Sequence, residues 1–125
     1  QQTDYDQLLW SCDVNFVRGE DSFVRAQWAI NPFVWNIYPQ TDDAHWKKLD
    51  AFLDLYTINM SLEMAVAVRD MWHSWNGKYE MNQHIWMNFL CFCQSMERHN
   101  KSWISQLLKQ DDLATSLVQF VGNRL

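Results

Sequence analysis

No apolar run in these 125 residues approaches the roughly 20 needed to cross a membrane, and no signal-peptide pattern opens the chain. Lys and Arg are outnumbered, 10 against 15 Asp and Glu, and they form no cluster. The resulting net charge of -5 argues against binding nucleic acid or an anionic membrane surface. Only three Gly and two Pro are present, and no Pro/Gly linker, internal repeat or low-complexity tract divides the chain. The three cysteines, Cys12, Cys91 and Cys93, suggest a reducing compartment and hence the cytoplasm. With His99 they fit no common zinc spacing, so no metal site is expected, and the cysteines read as buried small apolar side chains.

What the chain does have is apolar and aromatic mass. Hydrophobic residues make up 48%, including 8 Trp, 7 Phe and 6 Met, which excludes a disordered chain and suits one modest core. The first residue is Gln1, so the chain reads as a fragment or a processed product.

Two halves differ in pattern. Residues 1–40 are α/β in character. Asp4 can cap a short helix with Tyr5, Leu8, Leu9 and Cys12 on one face. Val14 to Val17 then reads as a short buried strand, Ser22 to Ile30 as a helix closed off by Pro32, and Phe33 to Tyr38 as a second strand. Two strands joined by one helix make a right-handed βαβ unit with parallel strands. Two strands cannot form a stable parallel sheet, so further strands must come from elsewhere.

From Thr41 the pattern is helical throughout. Asp42 or Asp43 can cap a helix that buries Trp46, Leu49, Leu53 and Tyr56. Ser61 caps the next, with Leu62, Ala65, Val66, Val68 and Trp72 inward and Gly77 just past its end. Residues 79–109 form one long helix or two, with Met81, Ile85, Phe89, Phe92 and Met96 at core spacing and a polar interruption from Glu97 to Lys101. Asp111 or Asp112 opens a last helix that turns Leu113, Leu117, Val118 and Val121 inward.

The chemistry concentrates in Arg18-Gly19-Glu20-Asp21-Ser22, at the junction of the first strand and the helix. Open α/β sheets bind ligands at that edge, and a helix N-terminus there offers unpaired N–H groups to phosphate. Arg18 can hold a phosphate as a planar fork or form an ion pair with Glu20 or Asp21. Gly19 allows a positive φ or a close backbone approach. Asp21 and Ser22 are both good N-caps, and Asp21 can also pair with Arg25 four residues on. Glu20 is hardest to explain structurally: the helix dipole favours a carboxylate there, but capping does not need one.

The stretch DYDQLLWSCDVNFVRGEDSFVRAQWA, followed by PFVWNIYPQ, resembles the C-terminal half of the bacterial protein-arginine rhamnosyltransferases that modify elongation factor P. The likeness is nearly unbroken from Asp4 to Gln40 and looser over DAHWKKLDAFLDLY, Asp43 to Tyr56. Beyond Ser61 only the helical character and a Trp-rich segment correspond.

This resemblance implies an α/β fold, the C-terminal Rossmann-like lobe of a GT-B glycosyltransferase: a partial parallel sheet followed by a helical C-terminal region. Residues 1–125 would be part of the donor-binding domain, with the nucleotide-sugar site in 1–40 and helices in 41–125. The N-terminal domain, which would bind elongation factor P, would be absent. The donor would be dTDP-β-L-rhamnose, with inversion at the anomeric carbon and no cofactor or metal. Glu20 would be catalytic. Arg18, Gly19, Asp21 and Ser22 would contact the diphosphate and sugar, Tyr38 would reach the diphosphate, and Gln2 would lie at the thymine. Two other readings stay open from the residues: a GT-B enzyme with another donor or acceptor, and a non-catalytic helical partner-binding domain.

Overall fold

A computed structural model describes residues 14–109. The helices expected to begin at Asp4 and at Asp111 or Asp112, together with Gln2 and Cys12, lie outside these residues. Strand β1 (Asn15–Arg18) leads through Gly19 into helix α1 (Glu20–Trp28), and strand β2 (Phe33–Asn36) follows. The strands are parallel, in register from Asn15 opposite Phe33 to Arg18 opposite Asn36. A single 3-10 turn (Thr41–Asp43) then leads into four helices: α2 (Ala44–Tyr56), α3 (Leu62–Trp75), α4 (Gln83–Cys91) and α5 (Cys93–Lys109). No helix among the described residues is long and apolar enough to cross a membrane.

The aromatic residues explain how so short a sheet is held. Phe23 of α1 stacks on Trp35 of β2, with ring centroids 4.0 Å apart. Phe52 of α2 meets Phe23 edge-on at 4.7 Å and lies parallel to Trp72 of α3 at 5.6 Å. All four side chains are fully buried. Such pairs add about 0.5–1.5 kcal/mol each beyond the area they bury.

Several expected boundaries shift, each for a local reason. Helix α1 starts at Glu20 and not at Ser22, because Gly19 takes the cap position with φ 82°, and its carbonyl accepts the N–H of Phe23 at 3.2 Å. Asp43 does precede α2, but in a left-handed conformation and with no capping bond from its side chain. The turn is held instead by the Gln40 N–H donating to His45 Nδ1 at 3.0 Å. Ser61 caps α3 as expected, accepting the Met64 N–H at 3.2 Å. The buried face of α3 is Met64, Ala67, Val68, Met71 and Trp72, whereas Leu62 and Val66 are exposed. At 100° per residue those two point away from the face that Met64 and Met71 define.

The polar stretch Glu97 to Lys101 does not break the last helix; the break falls at Phe92. Asn100 continues the buried stripe of Met96, Trp103 and Leu107 and is itself completely buried. Its Oδ1 accepts the Tyr56 hydroxyl, and its Nδ2 donates to the carbonyls of Ile30 (2.7 Å) and Asn31 (3.1 Å). Ile30 has φ 75°, a costly conformation for a β-branched residue, so Asn100 secures a strained turn between α1 and β2. The cysteines also differ from expectation: Cys91 is exposed and Cys93 only half-buried, because both sit at the junction of α4 and α5.

Replacing Asn100 with Ala leaves a buried hydroxyl and two carbonyls without their partner. Urea denaturation is expected to show a loss of about 2–3 kcal/mol; a loss below about 0.5 kcal/mol would mean that water replaces the amide without penalty.

Candidate functional site

The carboxyl ends of β1 and β2 lie side by side, and they carry Arg18 and, two residues past the last strand pair, Tyr38. The Arg18 guanidinium carbon stands 4.9 Å from the centre of the Tyr38 ring. Contacts of this kind contribute about 0.5–1 kcal/mol at exposed sites, enough to bias the guanidinium without fixing it. Both residues are exposed. Arg18 therefore presents its N–H fork beside the first turn of α1.

Gly19 shapes the arrangement. Its φ of 82° is a conformation that residues with a side chain rarely adopt, and it turns the chain sharply from strand to helix. A Cβ on Gly19 would also lie 3.4 Å from Tyr38 Cε2 and 3.4 Å from its hydroxyl oxygen. The tyrosine ring thus stands beside Gly19, near enough that an added Cβ would be in contact with it, and Arg18 closes over the same ring.

Behind Gly19 the first three residues of α1 are Glu20, Asp21 and Ser22. The N–H groups of a helix's first turn have no intrahelical acceptor, and the helix dipole adds positive potential there. Asp21 and Ser22 are not N-caps, because Gly19 occupies that position and no side chain caps the helix. Asp21 instead pairs with Arg25, one turn on, at 3.2 Å. Of the two alternatives for Asp21, capping or pairing with Arg25, the second holds. The described contact of Arg18 is the Tyr38 ring, not Asp21. Asp21 is exposed and Ser22 half-buried, so both stand within the first turn at its solvent side.

The structure therefore gathers Arg18, Gly19, Asp21, Ser22 and Tyr38 around one helix N-terminus, with Glu20 as the first residue of that helix. Gln2 lies outside the described residues. No group of three or more His, Cys, Asp or Glu able to hold a metal is present among the described residues. His99 has its Nε2 2.7 Å from the Tyr56 carbonyl oxygen, and burial pushes its pKa below the ordinary value of 6.5. Sequence reasoning missed Asn76, whose side chain binds the backbone of β2. Its one visible signal was its place directly before Gly77, and that reads equally well as a helix C-terminus.

Residues 1–122 match the family described as Elongation-Factor P (EF-P) rhamnosyltransferase EarP. This chain belongs to that family. It is 46% identical over 124 residues to a protein-arginine rhamnosyltransferase of Pseudomonas putida, covering 99% of this chain and 33% of the relative. To the protein of the same name from Shewanella oneidensis it is 46% identical over 125 residues, covering 96% of this chain and 31% of the relative. A solved structure reported as the structural basis for EarP-mediated arginine glycosylation of translation elongation factor EF-P superposes with a TM-score of 0.76 at 41% identity. That match covers 100% of this chain and 39% of the solved one. The fold is accordingly α/β and of the GT-B glycosyltransferase class. The chain spans about a third of the length of the curated relatives it matches.

Proposed function

We propose that this chain is the donor-binding part of a cytoplasmic protein-arginine rhamnosyltransferase, which moves L-rhamnose from dTDP-β-L-rhamnose to an arginine of elongation factor P. The supporting observation is the placement of Arg18 over Tyr38 in front of the N-terminus of α1. A diphosphate needs positive potential and N–H donors, and this edge of the sheet supplies both. Membership of the EarP family and the named activity of its relatives supply the reaction. The remainder of a polypeptide three times as long would bring the acceptor.

In this reading the guanidinium nitrogen of the acceptor attacks the anomeric carbon from the face opposite the diphosphate. The C1–O bond breaks, its electron pair leaves with dTDP, and the configuration inverts. The attacking nitrogen loses a proton to a carboxylate as the new bond forms, since free guanidinium does not deprotonate in proteins. Arg18 and the N–H groups of α1 neutralise the charge that grows on the departing diphosphate, a task that then requires no metal ion. Gly19 keeps the backbone close to the phosphates, while Asp21 and Ser22 are in reach of diphosphate and sugar from the first turn. Gln2 would read the thymine. A carboxylate at Glu20 would stabilise the oxocarbenium-like sugar or handle the acceptor's proton.

In the full-length enzyme, Arg18→Ala is expected to weaken dTDP and dTDP-rhamnose alike, by about ten- to a hundredfold, the loss of one charge-assisted contact. Titration calorimetry reads both; unchanged dTDP affinity would move the phosphate site elsewhere. Glu20→Gln keeps the size and loses the charge. Turnover, followed as the rhamnosyl mass increment on elongation factor P, should fall by about 10²-fold or more with little change in donor affinity. Turnover equal to that of the parent would remove Glu20 from the chemistry.

A further inference from the structure

Helix α3 ends at Trp75, and Asn76 and Gly77 close it in a Schellman arrangement. Gly77 has φ 89° and donates its N–H to the Ser74 carbonyl at 3.1 Å, and Lys78 donates to the His73 carbonyl at 2.9 Å. A helix end of this kind fixes the backbone of the residue before the glycine. Asn76 is therefore held at a set height beside β2, and its side chain reaches across to the strand.

Every hydrogen-bonding position of that amide is used. Nδ2 donates to the carbonyls of Trp35 and Trp72, each at 2.8 Å. Oδ1 accepts the Ile37 N–H at 2.8 Å and the Asn36 Nδ2 at 3.1 Å. An asparagine amide offers two donors and an oxygen with two lone pairs, so it is saturated. Toward β2 it donates to one residue's carbonyl and accepts the N–H two residues further on. That is how a residue of a parallel strand addresses its neighbour. The amide thus acts as a one-residue strand on the edge of β2 away from β1.

The location of this contact gives it a consequence. The pairing of β1 with β2 ends at Arg18 opposite Asn36. Ile37 and Tyr38 lie beyond that last pair, and the Ile37 N–H is tied to Asn76. Tyr38 is the next residue, and its ring stands beside Gly19 and underlies Arg18. A shift of the chain at Ile37 would carry the ring with it.

Resting on the diphosphate site proposed above, we infer that Asn76 is a positioning residue for that site: it aims the exit of β2 so that Tyr38 sits against Gly19 and beneath Arg18. It touches neither of the latter two and acts through Tyr38.

The test uses the full-length enzyme and dTDP as the probe, by titration calorimetry. Asn76→Ala is expected to weaken dTDP by about tenfold, as loss of one well-placed contact does. Asn76→Gln keeps both donors and the acceptor but moves them by one methylene, and a smaller loss is expected. Combining Asn76→Ala with Tyr38→Leu should weaken dTDP no further than the worse single change, because both act on one contact. Asn100→Ala serves as the control. It also removes a buried amide, but at the opposite end of β2, and it should lower the melting temperature while leaving dTDP affinity within about twofold.

Parent-like dTDP affinity in Asn76→Ala would overturn the inference, as would strictly additive losses in the double variant. If Asn76→Ala does not fold, Asn76→Gln decides on the same two criteria. A parent enzyme that does not bind dTDP at all would remove the diphosphate site and this inference together. A parent that binds, beside an unaffected Asn76 variant, removes the inference alone.

Discussion

The stack that runs from Trp35 through Phe23 and Phe52 to Trp72 joins β2, α1, α2 and α3 into one body. Two parallel strands of four residues each have too few hydrogen bonds to stand alone. Their stability is borrowed from the helical layer, and the aromatic rings are the means of borrowing it. Because Phe23 sits on α1 and Trp35 on β2, the same contact fixes the helix against the sheet. The N-terminus of α1 is consequently held at the edge where Arg18 and Tyr38 emerge.

At that edge a small number of backbone facts decide the chemistry. Gly19 turns with a positive φ, so the helix begins one residue later, directly past the end of β1. The Tyr38 ring stands beside Gly19, and the ring carries Arg18. Asp21 is occupied with Arg25, which keeps one of the two acids of the loop on the helix side. A ligand with negative charge and several acceptor oxygens suits what remains, as the proposed donor would.

Much of this was legible in the residues. The strand–helix–strand order of residues 14–38, the parallel pairing, the cap at Ser61 and the helix end at Gly77 follow from short-range rules, and the structure bears them out. The errors share a cause: they depend on partners far away in sequence. Leu62 and Val66 looked as apolar as Met64 and Met71, and only packing against the aromatic stack decides which row is buried. Asn100 looked like part of a polar interruption because its partners, Tyr56 and the carbonyls of Ile30 and Asn31, are 44 to 70 positions away. The role of Asn76 was hidden for the same reason, its partners Trp35 and Ile37 being 41 and 39 residues back. The start of α1 is the exception, a local misreading in which two good capping residues drew attention from the glycine before them.

The central claim is that the carboxyl edge of β1 and the first turn of α1 hold a nucleotide diphosphate. A crystal structure of the full-length enzyme with dTDP tests it most directly. The account predicts phosphate oxygens within about 3 Å of the Arg18 guanidinium and of N–H groups in the first turn of α1, with the Tyr38 hydroxyl beside them. A diphosphate bound away from this edge, with Arg18 still lying over Tyr38 and facing solvent, would contradict it.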